Sequence, residues 1–254
     1  MPASRVADAY DGVPVAALAA AVGATSAEAW AVCASTMDLA HDAAARGAPG
    51  GHVVVADRQD AGRGRGGKAW ASESGAGVWA SVVLRDVAPL ALGVLSLRVG
   101  LALATHPVLR DAAAAPLALK WPNDLFVGSG KLAGVLVEVR WRGTVAEWVV
   151  VGVGCNVRAP TSPLAGAGLR AGCSRVAVLG AIVDAVRAAG TARAALDDAE
   201  LVAWAAHDRM RGRRIVAPVA GVVAGIDADG ALRVVDSAGT VQRAVAGSHG
   251  SEEE

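Results

Sequence analysis

The stretch KWPNDLFVGSGKLAGVLVE, from Lys120 to Glu138, holds two of the chain's three lysines and one of its two asparagines. Lys68 is the remaining lysine and Asn156 the remaining asparagine, whereas Lys plus Arg together number 24, so the habitual cation of this chain is arginine. A lysine kept against that background marks a place where a compact, movable point charge serves and a rigid planar fork does not. The same stretch organises its neighbours. LALKW (117–121) reads as a strand ending in Pro122-Asn123-Asp124, and LAGVLVEVRW (132–141) and AEWVVVGVGCNV (146–157) read as strands by their β-branched content. Upstream, AEAWAVCA (27–34), HVVVAD (52–57) and VWASVVLR (78–85) read the same way. Ser35-Thr36 caps a helix that Gly47 stops, and 89–104, 174–190 and 198–207 have helical character. So many adjacent strands predict an α+β fold, a mixed, largely antiparallel sheet with helices packed on one face.

Composition bounds the rest. Of 254 residues, 54% are hydrophobic and 19% charged, which excludes a disordered chain. The formal net charge is zero, which leaves no overall basic field to draw in nucleic acid. Cys33, Cys155 and Cys173 are widely spaced and odd in number, as reduced thiols in a cytoplasm would be. The first residues, MPASRVADAYDG, form a loose start without an apolar signal core, followed by one apolar turn, VAALAAAVG. The apolar run Pro89 to Ala104 is short and carries Arg98, so it predicts a buried helix and not a membrane span. After MRGRR the pattern changes to short strands parted by DADG and DSAG. Two domains are therefore expected, 1–210 and 211–254, the second a small β-barrel-like unit with a disordered acidic tail, SHGSEEE.

The loop AGRGRGGKAW (61–70) fits two nucleotide-binding patterns superficially, Gly62-x-Gly64-x-x-Gly67 and Gly62-x4-Gly67-Lys68. Both patterns need a helix to start at the last glycine, and here Gly75, Gly77 and the strand at Val78 leave no room for one. One reading is a flexible surface loop. The other gives Arg63, Arg65 and Lys68, alternating with glycines, an anion to cover, and Trp70 a base to stack on. Trp121-Pro122 reads as core packing and a strand stop, Asn156 as a turn or a ligand, and Cys33 and Cys155 as buried fillers. The five histidines show no metal spacing.

Taken in order, GRGRGGKAW, KWPNDLFVGSGKLAGVLVE and GVGCN resemble the biotin protein ligase family, from about Ser35 to the final small domain. The resemblance implies a class II synthetase-like core with a C-terminal SH3-like domain. It implies activation of biotin with MgATP to biotinyl-5′-AMP, then transfer to a lysine of a biotin carboxyl carrier domain in a carboxylase. By position, Lys131 and Arg65 would be catalytic. Biotin would be met by Ser35, Thr36, Met37, Gln59, Arg63, Gly64, Arg65, Lys131, Gly134, Leu136, Gly152 and Gly154. The nucleotide would be met by Arg65, Lys68, Trp70, Asn123 and Asn156, with Trp70 at the adenine. No resident metal, DNA or membrane partner is expected, and the chain would act as a monomer or homodimer. Only 34 residues precede Ser35, too few for the DNA-binding domain that some members carry. Two positions depart from the family pattern: Gly66 stands where a second arginine is usual, and Met37 where an asparagine is usual. A lipoate or octanoate ligase on the same core, or a non-catalytic biotin-binding regulator, are the rival readings.

Overall fold

The N-terminal segment is more ordered than a loose start. In the computed structural model, which describes residues 5–160 and 166–245, it forms β1 (Arg5–Val6), β2 (Ala9–Tyr10), β3 (Val13–Pro14) and α1 (Val15–Ala21). Then come β4 (Ser26–Cys33), α2 (Thr36–Ala45), β5 (His52–Gln59) and β6 (Gly77–Leu84). Helices α3 (Pro89–Leu92), α4 (Leu95–Thr105) and α5 (Pro107–Ala112) precede β7 (Leu117–Lys120), β8 (Asp124–Val127), β9 (Gly130–Arg142) and β10 (Val145–Asn156). Helices α6 (Arg175–Gly190) and α7 (Asp198–His207) lead to β11 (Arg214–Ile215), β12 (Gly221–Ile226), β13 (Leu232–Val235) and β14 (Val241–Ala244).

Eight strands make one sheet in the order β1-β4-β5-β6-β10-β9-β8-β7. Every pairing in it is antiparallel except β4 with β5, so the fold is mixed α+β with a largely antiparallel sheet. That parallel pair requires a crossover, which α2 supplies. It also corrects the expectation that the helices share one face. The main core packs α1, α4 and α6 against Val53, Val55, Val82, Val149 and Val151. On the opposite face α2 sets Met37, Ala40 and Ala44 against Val54, Val83, Trp148 and Val150. Alternation along the strands separates the two sets. The α2 side covers only part of its face, and the uncovered part is where the site residues collect.

Two elements differ from expectation. The helix expected over 89–104 is two helices, broken at Gly93-Val94. Glycine is a poor helix former, and the turn before β13 packs there: a Cβ on Gly230 would lie 2.7 Å from Leu97 and 3.1 Å from Val94. The DLFV segment after Pro-Asn-Asp is a strand of its own, β8, that pairs with both β7 and β9. Where a small barrel is expected, β11 to β14 form a four-stranded antiparallel sheet paired in chain order. It docks on the larger part through Trp121, whose Nε1 donates to Gly230 O at 2.9 Å, and through Leu196 N–H to Ala228 O at 2.8 Å. The acidic tail lies outside the described residues. Among the described residues no helix is long and apolar enough to cross a membrane, and α4, the apolar run, is buried at eight positions including Arg98.

Candidate active site

The helix start at Ser35-Thr36 is built by capping. Ser35 Oγ accepts from Met37 N–H at 3.3 Å, and both hydroxyl residues are buried. Thr36 donates from its backbone N–H and its Oγ1 to Gln59 Oε1, at 2.8 and 3.1 Å. Thr36 Oγ1 also meets Ser81 Oγ at 2.9 Å, and Gln59 Nε2 donates to Ser72 Oγ at 2.9 Å. The structure thus brings Ser35, Thr36 and Gln59 together and adds Ser72 and Ser81, a neutral hydrogen-bonding cluster at the end of β5.

Beyond Gln59 the glycine-rich loop folds on itself. Trp70 N–H donates to Gly62 O at 2.8 Å, Gly64 N–H donates to Lys68 O at 2.7 Å, and a short 3₁₀ turn, Arg65–Gly67, forms the tip. Gly66 and Gly67 have φ of 64° and 74°, a left-handed backbone that glycine takes without strain. No α-helix begins at Gly67; the chain runs on to β6. Gly62 is needed for close approach, since a Cβ there would lie 2.7 Å from Trp70 O.

The loop's cations are used differently. Arg63 turns outward to two carboxylates, Asp38 of α2 at 2.6 Å and Glu138 of β9 at 3.3 Å. Glu138 also binds His41 Nε2 at 3.0 Å, and His41 Nδ1 accepts from Trp148 Nε1 at 2.9 Å. Since Nδ1 accepts, Nε2 carries the proton and donates the hydrogen bond that Glu138 accepts. The His41 hydrogen bond, followed by Arg63, holds the Glu138 carboxyl down at about 2 against the opposing effect of burial. Hydrogen bonding to Asp38 raises Arg63. Arg65 is half-buried; burial pushes its guanidinium down while the nearby Asp124 pulls it up. Lys68 is exposed at the loop's outer end.

Lys131 reaches the site through a β-bulge. Leu125 pairs with Ala133, but Phe126 pairs with Lys131, so Leu132 is an extra residue on β9. Leu132 and Ala133 both enter the core at 0% exposure. Strict alternation from Ala133 would send Lys131 there too; the bulge instead puts it on the face of Gly134, Leu136 and Glu138. Its Nζ lies 2.7 Å from Asp124 Oδ1 and 4.9 Å from the centre of a Trp70 ring. Asn156 Nδ2 donates to Lys131 O at 3.2 Å and Asn123 Nδ2 to Val135 O at 2.9 Å, so the two asparagines brace the backbone around this lysine.

The glycines on β9 and β10 make room for larger side chains. A Cβ on Gly154 would lie 2.5 Å from the Trp70 indole, one on Gly134 3.1 Å from it, and one on Gly152 2.5 Å from Met37 Sδ. Trp70, expected at the adenine, therefore stands against the glycines expected to wall the biotin pocket. It packs edge-on to Trp79 at 6.4 Å. Half-buried Leu136 packs beside Met37 and Trp148. The groups follow one another along one sheet face: the neutral hydrogen-bonding groups and Met37 lie by Gly152, the Trp70 indole lies over Gly154 and Gly134, and Lys131, Asp124 and Arg65 lie beyond. Sequence reasoning missed Asp38, His41, Ser72, Ser81, Asp124 and Glu138. Alternation from Gly134 and Leu136 identifies Glu138, and Asp38 and His41 lie one helical turn apart.

The model of the biotin/lipoate A/B protein ligase family matches residues 30–156, half of the chain, and the chain belongs to that family. It is 39% identical over 126 residues to the bifunctional ligase/repressor BirA of Bacillus subtilis, a match covering 50% of this chain and 38% of the relative. It is 44% identical over 133 residues to the biotin–[acetyl-CoA-carboxylase] ligase of Mycobacterium tuberculosis, covering 50% of this chain and 48% of that one. These matches thus span less than half of either relative. Its fold superposes on the biotin protein ligase of Aquifex aeolicus in complex with biotin and ATP with a TM-score of 0.71 at 20% identity, over 91% of this chain and 100% of that one.

Proposed function

We propose that this chain is a biotin protein ligase, acting in the cytoplasm. It joins biotin and MgATP to biotinyl-5′-AMP and pyrophosphate, then passes biotin to a lysine of a biotin carboxyl carrier domain. The observation that carries the reading is the row of groups on one sheet face that runs from the Thr36–Gln59 hydrogen bonds past Met37 and Trp70 to Lys131. A ureido ring has two N–H donors and one carbonyl, which neutral hydroxyl and amide groups match without charge. The apolar stretch suits the rest of biotin.

The reaction brings a carboxylate against an α-phosphate, two anions. Lys131 Nζ between them lowers the repulsion and stabilises the charge that builds on the phosphoryl oxygens. Asp124, 2.7 Å away, holds that ammonium in place. Arg65, at the tip of the loop, covers the adenylate and keeps water from the mixed anhydride. Arg63, held by Asp38 and Glu138, anchors the loop's near end. In the second step the carrier's lysine amine attacks the biotinyl carbonyl and AMP leaves. Mg²⁺ enters with the nucleotide as MgATP. A lipoate ligase has no ureido ring to satisfy, so the Ser35, Thr36 and Gln59 cluster favours biotin. ATP–pyrophosphate exchange tests this: biotin should stimulate it and lipoate should not, and exchange with lipoate exceeding that with biotin would overturn the reading.

A further inference from the structure

Arg209 belongs to no element, yet its position is fixed by the sheet. Leu119 pairs in parallel with Asp208, and Arg209 N–H donates to Leu119 O at 3.0 Å, so this segment extends the sheet beyond β7. Leu119 is buried toward α4. By alternation Arg209 turns to the other face, shared by Lys120, Asp124 and Phe126. There its guanidinium carbon lies 3.9 Å from the centre of the Phe126 ring. Phe126 is the direct cross-strand partner of Lys131, and such partners stand about 5 Å apart at Cβ. Arg209 Nη1 is buried with no hydrogen-bond partner, and among the described residues no carboxylate forms an ion pair with this guanidinium.

An arginine held over an aromatic ring, without an acid, keeps its hydrogen-bonding groups for an anion. The proposed reaction, on which this inference rests, supplies one. A biotin carboxylate oxygen bonds to the α-phosphorus, the bond from that phosphorus to the bridging oxygen breaks, and the electron pair departs on pyrophosphate. Lys131 and Arg65 face the carboxylate and α-phosphate, and Asp124 already offsets part of the Lys131 charge. The leaving group gains charge and needs a cation of its own. We propose that Arg209, stacked on Phe126, binds the β- and γ-phosphates of ATP and the pyrophosphate they become.

The test is Arg209→Gln in the full chain, read two ways. In ATP–pyrophosphate exchange the KM for pyrophosphate should rise about tenfold or more, the usual loss of a charge-assisted pair, while the Kd for biotin measured without nucleotide stays within twofold. In calorimetry with pyrophosphate alone, wild type should bind and Arg209→Gln should bind at least tenfold more weakly. An unchanged KM, or equal pyrophosphate binding by the two proteins, would overturn the proposal. Wild type that binds pyrophosphate through Arg209 but shows no biotin-dependent exchange would defeat the ligase reading and leave this subsite standing. Should Arg209→Gln not fold, Phe126→Leu removes the platform alone; a several-fold rise in KM for pyrophosphate is expected, and no rise would count against the site.

Discussion

The ammonium of Lys131 sits 2.7 Å from the carboxylate of Asp124, which lies diagonally across the β8–β9 ladder, two residues before the direct partner Phe126, and both stand on the sheet face that α2 leaves uncovered. Only the extra residue at Leu132 makes this possible. The pair holds a half-buried cation beside the Trp70 indole, so removing either partner affects the other. Lys131→Ala is expected to lower the rate of adenylate formation by about a hundredfold or more, since a preorganised cation contributes several kcal/mol to such a transition state. Lys131→Arg should also be slow, because a planar fork does not fit a point-charge site. Single-turnover measurements check this, with thermal unfolding as the control. Near-normal rates in both variants would remove Lys131 from the chemistry.

The glycine floor gives a second expectation. Gly154→Ala would place a methyl group 2.5 Å from the Trp70 indole as it now lies. The indole must move, and it lies between the Gly134–Gly154 floor and Lys131. Overpacking of this kind costs about 1–3 kcal/mol, so biotin affinity should fall roughly tenfold or more, measured by calorimetry. Unchanged affinity would show that Trp70 does not border the biotin site.

Much of this architecture is legible in the sequence, because valine runs such as HVVVAD and VWASVVLR can only be buried strands, and Ser35-Thr36 before an amphipathic run can only be a capped start. The site is legible in part. Gly134, Gly152 and Gly154 fall on one face by simple alternation, but Lys131 does not; its place depends on a bulge that no local pattern announces. The link from Trp148 through His41 and Glu138 to Arg63 joins residues far apart in the chain, and His41, Glu138 and Arg63 each look like an ordinary surface polar group alone. The side on which α2 packs follows from the parallel pairing of β4 and β5, a long-range fact. The break at Gly93-Val94 depends on a turn that arrives more than a hundred residues later.

The Arg63 link should leave a signature in acid. Glu138 titrates at about 2 in the folded chain, below its ordinary 4.5. A depressed carboxylate stabilises the fold fully above its unfolded value, and that stability is lost as the pH falls from about 4.5 through 2. Glu138→Gln should therefore melt about 2–4 °C below wild type above pH 5, as expected of a pair partly open to solvent. The gap should close toward pH 2–3. A gap that widened in acid would contradict the link.

Arg65 should govern how long the intermediate stays bound. Arg65→Gly removes the loop's half-buried cation and adds backbone freedom, so preformed biotinyl-5′-AMP should dissociate roughly tenfold faster. Arginine at Gly66 would have to adopt a left-handed backbone at φ 64°, costing about 1–2 kcal/mol, so the added charge there comes with strain. Unchanged release from Arg65→Gly, followed by stopped flow at fixed salt, would show that this loop is not the cover.

The central claim is that this sheet face joins biotin to AMP at Lys131 and delivers it to a carrier lysine. The most direct measurement mixes the chain with biotin, MgATP and an apo carrier domain and follows both products by mass spectrometry. Wild type should form biotinyl-5′-AMP and then modify one carrier lysine, while Lys131→Ala should form neither product at a detectable rate. Absence of the adenylate with wild type, or equal amounts with Lys131→Ala, would contradict the account.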